Sequence, residues 1–104
     1  MSDPISIRTT LLVLYSPQLE ECCRFYSDLG LRFVTEQHGQ GPRHYAAILA
    51  DGMVFEICPA RSGRETGAVR LGLAVIGTAA KPPLAPGHHQ LIDPDGRIID
   101  IHAT

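Results

Sequence analysis

Apolar and polar positions divide this chain into short, well-punctuated segments. Ile5 to Tyr15 is rich in Ile, Leu, Val and Thr and predicts a first strand. Ser16-Pro17 then reads as a helix start, with Ser16 at the N-cap and Pro17 in the first turn. Leu19, Cys22, Cys23, Tyr26 and Leu29 recur at helical spacing, with Phe25 flanking the stripe. Glu20, Glu21, Arg24, Ser27 and Asp28 fill the other face, and the two glutamates lie near the positive end of the helix. Gly30 is a natural stop, because a glycine accepts the left-handed conformation that ends a helix.

Strand patterns follow. Leu31 to Gln37 predicts a second strand and His38 to Pro42 a polar loop. His44 to Leu49 is a third strand, Asp51-Gly52 a hairpin turn, and Met53 to Cys58 a fourth strand. In the fourth strand Val54, Glu56 and Cys58 share one face, and Phe55 and Ile57 the other. Pro59 to Gly67 is polar and links two halves. Val69 to Ile76 is a fifth strand. Thr78 to Gly87 holds Pro82, Pro83 and Pro86, which excludes a helix interior or a central strand there.

His88 to Ile92 and Arg97 to His102 form a closing hairpin around Asp93-Pro94-Asp95-Gly96. Pro94 presets φ, Asp95 suits the next turn position and Gly96 returns the chain. Both aspartates read as turn formers, since the rest of a calcium loop is absent. Behind the turn, Asp100 interrupts Ile98, Ile99 and Ile101. A carboxylate there faces solvent, or is held by a cation, a metal or hydrogen-bond donors.

Composition narrows the function classes. With 104 residues, 44% of them hydrophobic and 19% charged, the chain makes one globular domain. A net charge of -2 gives no general attraction to nucleic acid or anionic membranes. No run approaches the roughly 20 apolar residues of a membrane span, and Met1-Ser2-Asp3-Pro4 lacks the features of a signal peptide. Cys22, Cys23 and Cys58 suggest neither a disulfide framework nor a zinc knuckle, which points to a reducing cytoplasm. Nothing basic beside Cys22 or Cys23 activates a thiolate.

Taken in order, several blocks resemble the vicinal oxygen chelate superfamily, the glyoxalase, bleomycin-resistance and extradiol dioxygenase group. They are Leu11-Leu12-Val13-Leu14-Tyr15-Ser16, Arg24-Phe25-Tyr26 with Leu29-Gly30-Leu31-Arg32-Phe33, Tyr45 to Leu49, Val54-Phe55-Glu56-Ile57, and Asp93 to Arg97 with Asp100-Ile101. The resemblance covers most of the chain except Thr78 to Gly87. It implies an α+β fold: a βαβββ module over residues 5–59, a linker at 60–68, and a second module at 69–104 shortened by its helix and one strand. Curled mixed sheets would form a cup.

Family metal ligands transfer to about Leu11 (or Thr10), Glu56, Arg70 and Asp100. Only Glu56 and Asp100 keep ligand chemistry. No cofactor is therefore expected. Two carboxylates facing one cavity need a positive charge between them. Arg70 is expected to take the place of the lost metal and bridge Glu56 and Asp100, since guanidinium can bond both. Tyr45 either lines the cup or packs in the core, and His102 shares the face of Asp100. A site of Glu56, Asp100 and His102, with His44 or His88 added, would be the alternative home for a divalent Zn, Ni, Mn or Fe ion. Ile99, Ile101, Leu71, Leu73 and Val75 would lack cover in a shortened module, which implies a homodimer.

The expected function is small-molecule binding in the cup, in the manner of bleomycin-resistance proteins. Sequestration survives loss of a metal, whereas Lewis-acid catalysis does not. The alternatives are a metal-dependent lyase, isomerase or dioxygenase, and a non-catalytic interaction dimer whose cup has collapsed.

Overall fold

A computed structural model describes residues 6–104. Met1–Pro4, and Ile5 of the expected first strand, lie outside the described residues. The elements are β1 (Leu11–Ser16), α1 (Leu19–Asp28), β2 (Val34–Glu36), β3 (His44–Ile48), β4 (Val54–Pro59), β5 (Leu71–Val75), a short 3-10 turn at Gly77–Ala79, β6 (Gly87–Ile92) and β7 (Ile98–Ala103). One sheet runs β1-β4-β3-β2 and the other β5-β7-β6. In each, the first strand lies parallel to the last and the last is antiparallel to its other neighbour. The fold is α+β, with one α-helix and two mixed sheets among the described residues.

Element boundaries differ from the sequence reading where pairing decides them. Among the described residues β1 begins at Leu11, where its partner β4 begins at Val54. Ser16 is not the N-cap. It ends β1 opposite Pro59, and its hydroxyl accepts the Gln18 backbone N–H at 2.9 Å, so the helix starts two residues later with Gln18 at the cap. At the other end, Gly30 (φ 114) turns the chain out as expected. β2 keeps only three residues. Leu31 and Phe33, expected in that strand, pack against the core instead.

The pleat sets two faces on each sheet. Leu12, Leu14 and Ser16 of β1 share a face with Phe55 and Ile57 of β4, directed toward α1. In the second sheet Leu71, Leu73, Val75, Ile99, Ile101 and Ala103 face inward. Both inner faces and α1 form a single core: Leu14, Cys22, Tyr26, Leu29, Phe55 and Ile57 cluster with Val75, Ile99, Ile101 and Ala103. Ile99 and Ile101 are fully buried. The inner face of the second sheet is thus covered inside its own chain, and the premise from which a homodimer was expected does not hold.

What remains uncovered is the opposite face of each sheet. The extents are 46 × 39 × 24 Å and the radius of gyration is 14.8 Å, against about 13 Å for an ordinary globule of 100 residues. Leu11, Tyr15, Val34 and Ile48 on the first sheet, and Ile92 and Ile98 on the second, are exposed on these outer faces.

The closing hairpin is bolted to the rest by buried charge. Asp93 and Arg97 are 3% and 2% exposed. Arg97 Nη1 donates to Asp93 Oδ2 at 2.9 Å, and the backbone N–H groups of Asp95 and Arg97 both donate to Asp93 Oδ1 at 2.9 Å. Tyr26 of α1 donates its hydroxyl to Asp93 Oδ2 at 2.7 Å. Arg97 Nη2 reaches Asp95 Oδ2 at 3.0 Å and donates to the carbonyls of Thr66 (2.9 Å) and Tyr15 (3.4 Å). One turn therefore ties together β1, α1, the linker and β7. Asp93 and Asp95 are turn formers as expected, and they also anchor a buried guanidinium.

Candidate functional site

The outer face of the first sheet carries the polar residues that matter. Alternation places Val13 and Tyr15 of β1, Glu56 and Cys58 of β4, His44 and Ala46 of β3, and Val34 and Glu36 of β2 on this face. Glu36 pairs with His44 across the β2–β3 hairpin. His44 Nε2 lies 3.3 Å from Glu36 Oε1 and 4.0 Å from Glu56 Oε1. His38, in the loop after β2, stacks its ring on His44 with centroids 5.3 Å apart, and its Nε2 is 3.9 Å from Glu36 Oε1.

Beside this cluster opens a cleft of about 530 Å3 lined by Tyr15, Pro42, Cys58, Pro59, Arg61 and Arg64. That volume falls within the range of small-molecule sites. Its wall combines an aromatic ring and two prolines with two guanidinium groups and has no carboxylate. Burial, and then the nearby Glu56 charge, push the Cys58 thiol above its ordinary pKa, so it lines the wall as a neutral group. A second hollow, of about 130 Å3 by Ala68–Arg70 and Gly96–Ile98, is too small for such a ligand.

The expected cup residues do not all meet. Arg70 and Asp100 do pair: Arg70 Nε donates to Asp100 Oδ2 at 2.7 Å and Nη2 to Oδ1 at 3.3 Å. That contact raises the Arg70 pKa and holds the Asp100 carboxyl below its usual range. Gln90 donates to the same carboxylate at 3.4 Å, and His88 Nε2 lies 3.6 Å from it. His102 sits beside His88, ring centroids 5.0 Å apart. All of these are on the outer face of the second sheet. Glu56 is on the first sheet, and its ion-pair neighbour among the described residues is His44, not Arg70. The expected bridge from Arg70 to both carboxylates is half formed within one chain.

Tyr45 does not line the cup. The pleat puts it on the α1 side, opposite Ile57, where its hydroxyl donates to Glu20 Oε2 at 2.7 Å. That hydrogen bond raises its pKa. The sequence reading missed Glu36, His38, Arg61 and Arg64. Treating His38 to Pro42 as a hairpin loop would have placed Glu36 opposite His44; the arginines of the linker carried no comparable signal.

The positions at which the resemblance implies a metal do not assemble a complete ligand set among the described residues. Glu56 pairs with Val13 of β1 and Asp100 with Gly72 of β5, so neither first strand offers a donor there. Glu56, Asp100 and His102 are not brought together among the described residues; the group with three ligand atoms within 4.8 Å of one another is Glu36, His38 and His44.

Fold and site together define a small α+β protein that presents open, partly polar sheet faces. No protein-family model matches the chain, and no curated protein does. Two solved structures share its fold. Oxidase ChaP-H2 superposes with a TM-score of 0.65 at 14% identity, covering 96% of this chain and 95% of its own. TnmS3, an antibiotic binding protein from Streptomyces sp. CB03234, superposes at 0.64 with 18% identity, covering 96% of this chain and 98% of its own. Both matches run over nearly the whole of this chain and of the neighbour. No helix among the described residues is long and apolar enough to cross a membrane.

Proposed function

We propose that this protein binds a small molecule carrying a flat apolar body and an anionic group. The observation that carries the reading is the cleft on the first sheet, where Tyr15, Pro42 and Pro59 offer apolar surface and Arg61 and Arg64 offer fixed positive charge. An antibiotic binding protein among the structural neighbours supports it. Glu56, Arg70, Asp100 and His102 join the site if two chains pair with the outer face of one first sheet against that of a second sheet. Exposed Leu11, Val34, Ile48 and Ile92 and the flattened shape support such a homodimer. Sedimentation at micromolar concentration tests the pairing.

The test of binding is a calorimetric titration with planar aromatic carboxylates and, in parallel, their uncharged methyl esters. The carboxylates should bind and the esters should not, and the Arg61→Ala/Arg64→Ala double variant should lose at least tenfold in affinity, about 1.4 kcal/mol. Equal binding of acid and ester, or an unchanged double variant, would show that the cleft is not an anion site.

A further inference from the structure

We propose that Glu36, His38 and His44 hold a divalent first-row transition-metal ion, with Glu56 closing a fourth position. The argument begins with one atom. The His44 side chain is 8% exposed, and its Nε2 is buried without a hydrogen-bond partner among the described residues. Its Nδ1 lies 3.4 Å from the Pro42 carbonyl oxygen, which can only accept. A proton on Nδ1 satisfies that contact, and with the ring neutral Nε2 turns a lone pair toward the Glu36 and Glu56 carboxylates, 3.3 and 4.0 Å away. Ligand atoms facing one another in this way call for a cation, which a metal ion would supply. Metal-bound imidazoles are held in this way, by the other ring nitrogen donating to a backbone carbonyl.

Spacing agrees with the chemistry. Nitrogen and oxygen ligands at roughly 2.0–2.2 Å from a tetrahedral ion lie roughly 3.3–3.5 Å from each other. The His44–Glu36 edge is 3.3 Å, and all three ligand atoms lie within 4.8 Å of one another. His38 stacks on His44 with an interplanar angle of 29°. Its side chain is 79% exposed, free to rotate the remaining distance toward the ion. Two imidazoles and a carboxylate suit zinc, iron(II) or nickel rather than calcium or magnesium. Glu36, His38 and His44 lie on β2, its loop and β3, none of them at the first-strand or last-strand positions that the family resemblance implied. Pro42, whose carbonyl orients His44, also lines the cleft, so the ion sits at the rim of that cavity. Glu36, His38 and His44 are not among the cleft's lining residues, and Glu56 alone is common to both readings, so the metal test on Glu36 and His38 is separate from the binding test on Arg61 and Arg64.

The experiment is equilibrium dialysis of chelator-stripped protein against zinc at neutral pH, with metal content measured afterwards. One zinc per chain is expected. His38→Ala and Glu36→Gln change side chains that are exposed or partly so, and each should weaken binding by about tenfold or more while the circular dichroism spectrum stays that of the parent. Failure to bind stoichiometric zinc would overturn the proposal and leave His44 and Glu36 an ordinary ion pair. Zinc retained by both variants, or lost on His102→Ala instead, would place the metal elsewhere and overturn it equally.

Discussion

Replacing Arg97 by Met tests the claim that buried charge fastens the closing hairpin. The change removes a guanidinium that is 1% exposed and leaves Asp93, whose side chain is fully buried, without its cation. Breaking a buried pair from one side costs about 3–5 kcal/mol. The Thr66 carbonyl also loses its 2.9 Å donor, for about 1 kcal/mol more. Three terms reduce the loss. Asp93 keeps the Tyr26 hydroxyl and two backbone N–H groups, and Met fills most of the vacated volume. Arg97 Nε, buried without a hydrogen-bond partner among the described residues, also ceases to be a desolvated donor. The balance is a loss of about 3 kcal/mol, a large share of the roughly 5–15 kcal/mol that a domain has. Urea unfolding followed by circular dichroism should show the midpoint falling by about 1–3 M. Adding Asp93→Asn should recover part of this, because a neutral amide still accepts the two backbone N–H groups and donates to the Tyr26 oxygen. A loss below about 1 kcal/mol, or a double variant no more stable than Arg97→Met alone, would refute the reasoning.

Two further outcomes follow from the same geometry. A Cβ added at Gly77 would strike the Leu84 carbonyl oxygen, which should cost Gly77→Ala about 1–3 kcal/mol, read as a melting temperature roughly 5–20 °C lower. Burial alone would raise the Asp95 pKa, but hydrogen bonds from Ser16, Cys22 and Gln18 and the Arg97 charge outweigh it and leave the value lowered. A lowered carboxyl contributes stability that is present above the ordinary carboxylate range and lost as pH falls through the folded value. Asp95→Asn should therefore flatten the fall of melting temperature below about pH 4, and an unchanged acid limb would contradict the assignment.

The parts of the fold legible in the sequence are those written in local pattern. The stripe from Leu19 to Leu29 and the stop at Gly30 gave the helix, and alternation in Val54 to Cys58 gave the correct two faces of β4. β3 was opaque because Tyr45, Ala46 and Ala47 are all compatible with either face, so the phase of the strand, and with it the side of Tyr45, could not be read. The His44 cluster depends on a hairpin register and on packing around one imidazole, neither of which a single strand announces. Nothing in the local pattern marked Arg97, at the start of the last strand of the closing hairpin, as buried. Its burial arises from residues far along the chain, Tyr15, Tyr26 and Thr66, which converge on it only after both halves have folded.

That both sheets and α1 share a single core has a consequence for how the molecule can come apart. Cut in the linker, the second half would be three strands with an apolar face and no opposing layer, too little to stand alone. The first half would keep its helix but expose the part of the core that Val75, Ile99, Ile101 and Ala103 now complete. Neither fragment is self-sufficient, so thermal unfolding should be one cooperative transition rather than two. The repeated strand order looks like two units joined end to end, yet thermodynamically the molecule is indivisible.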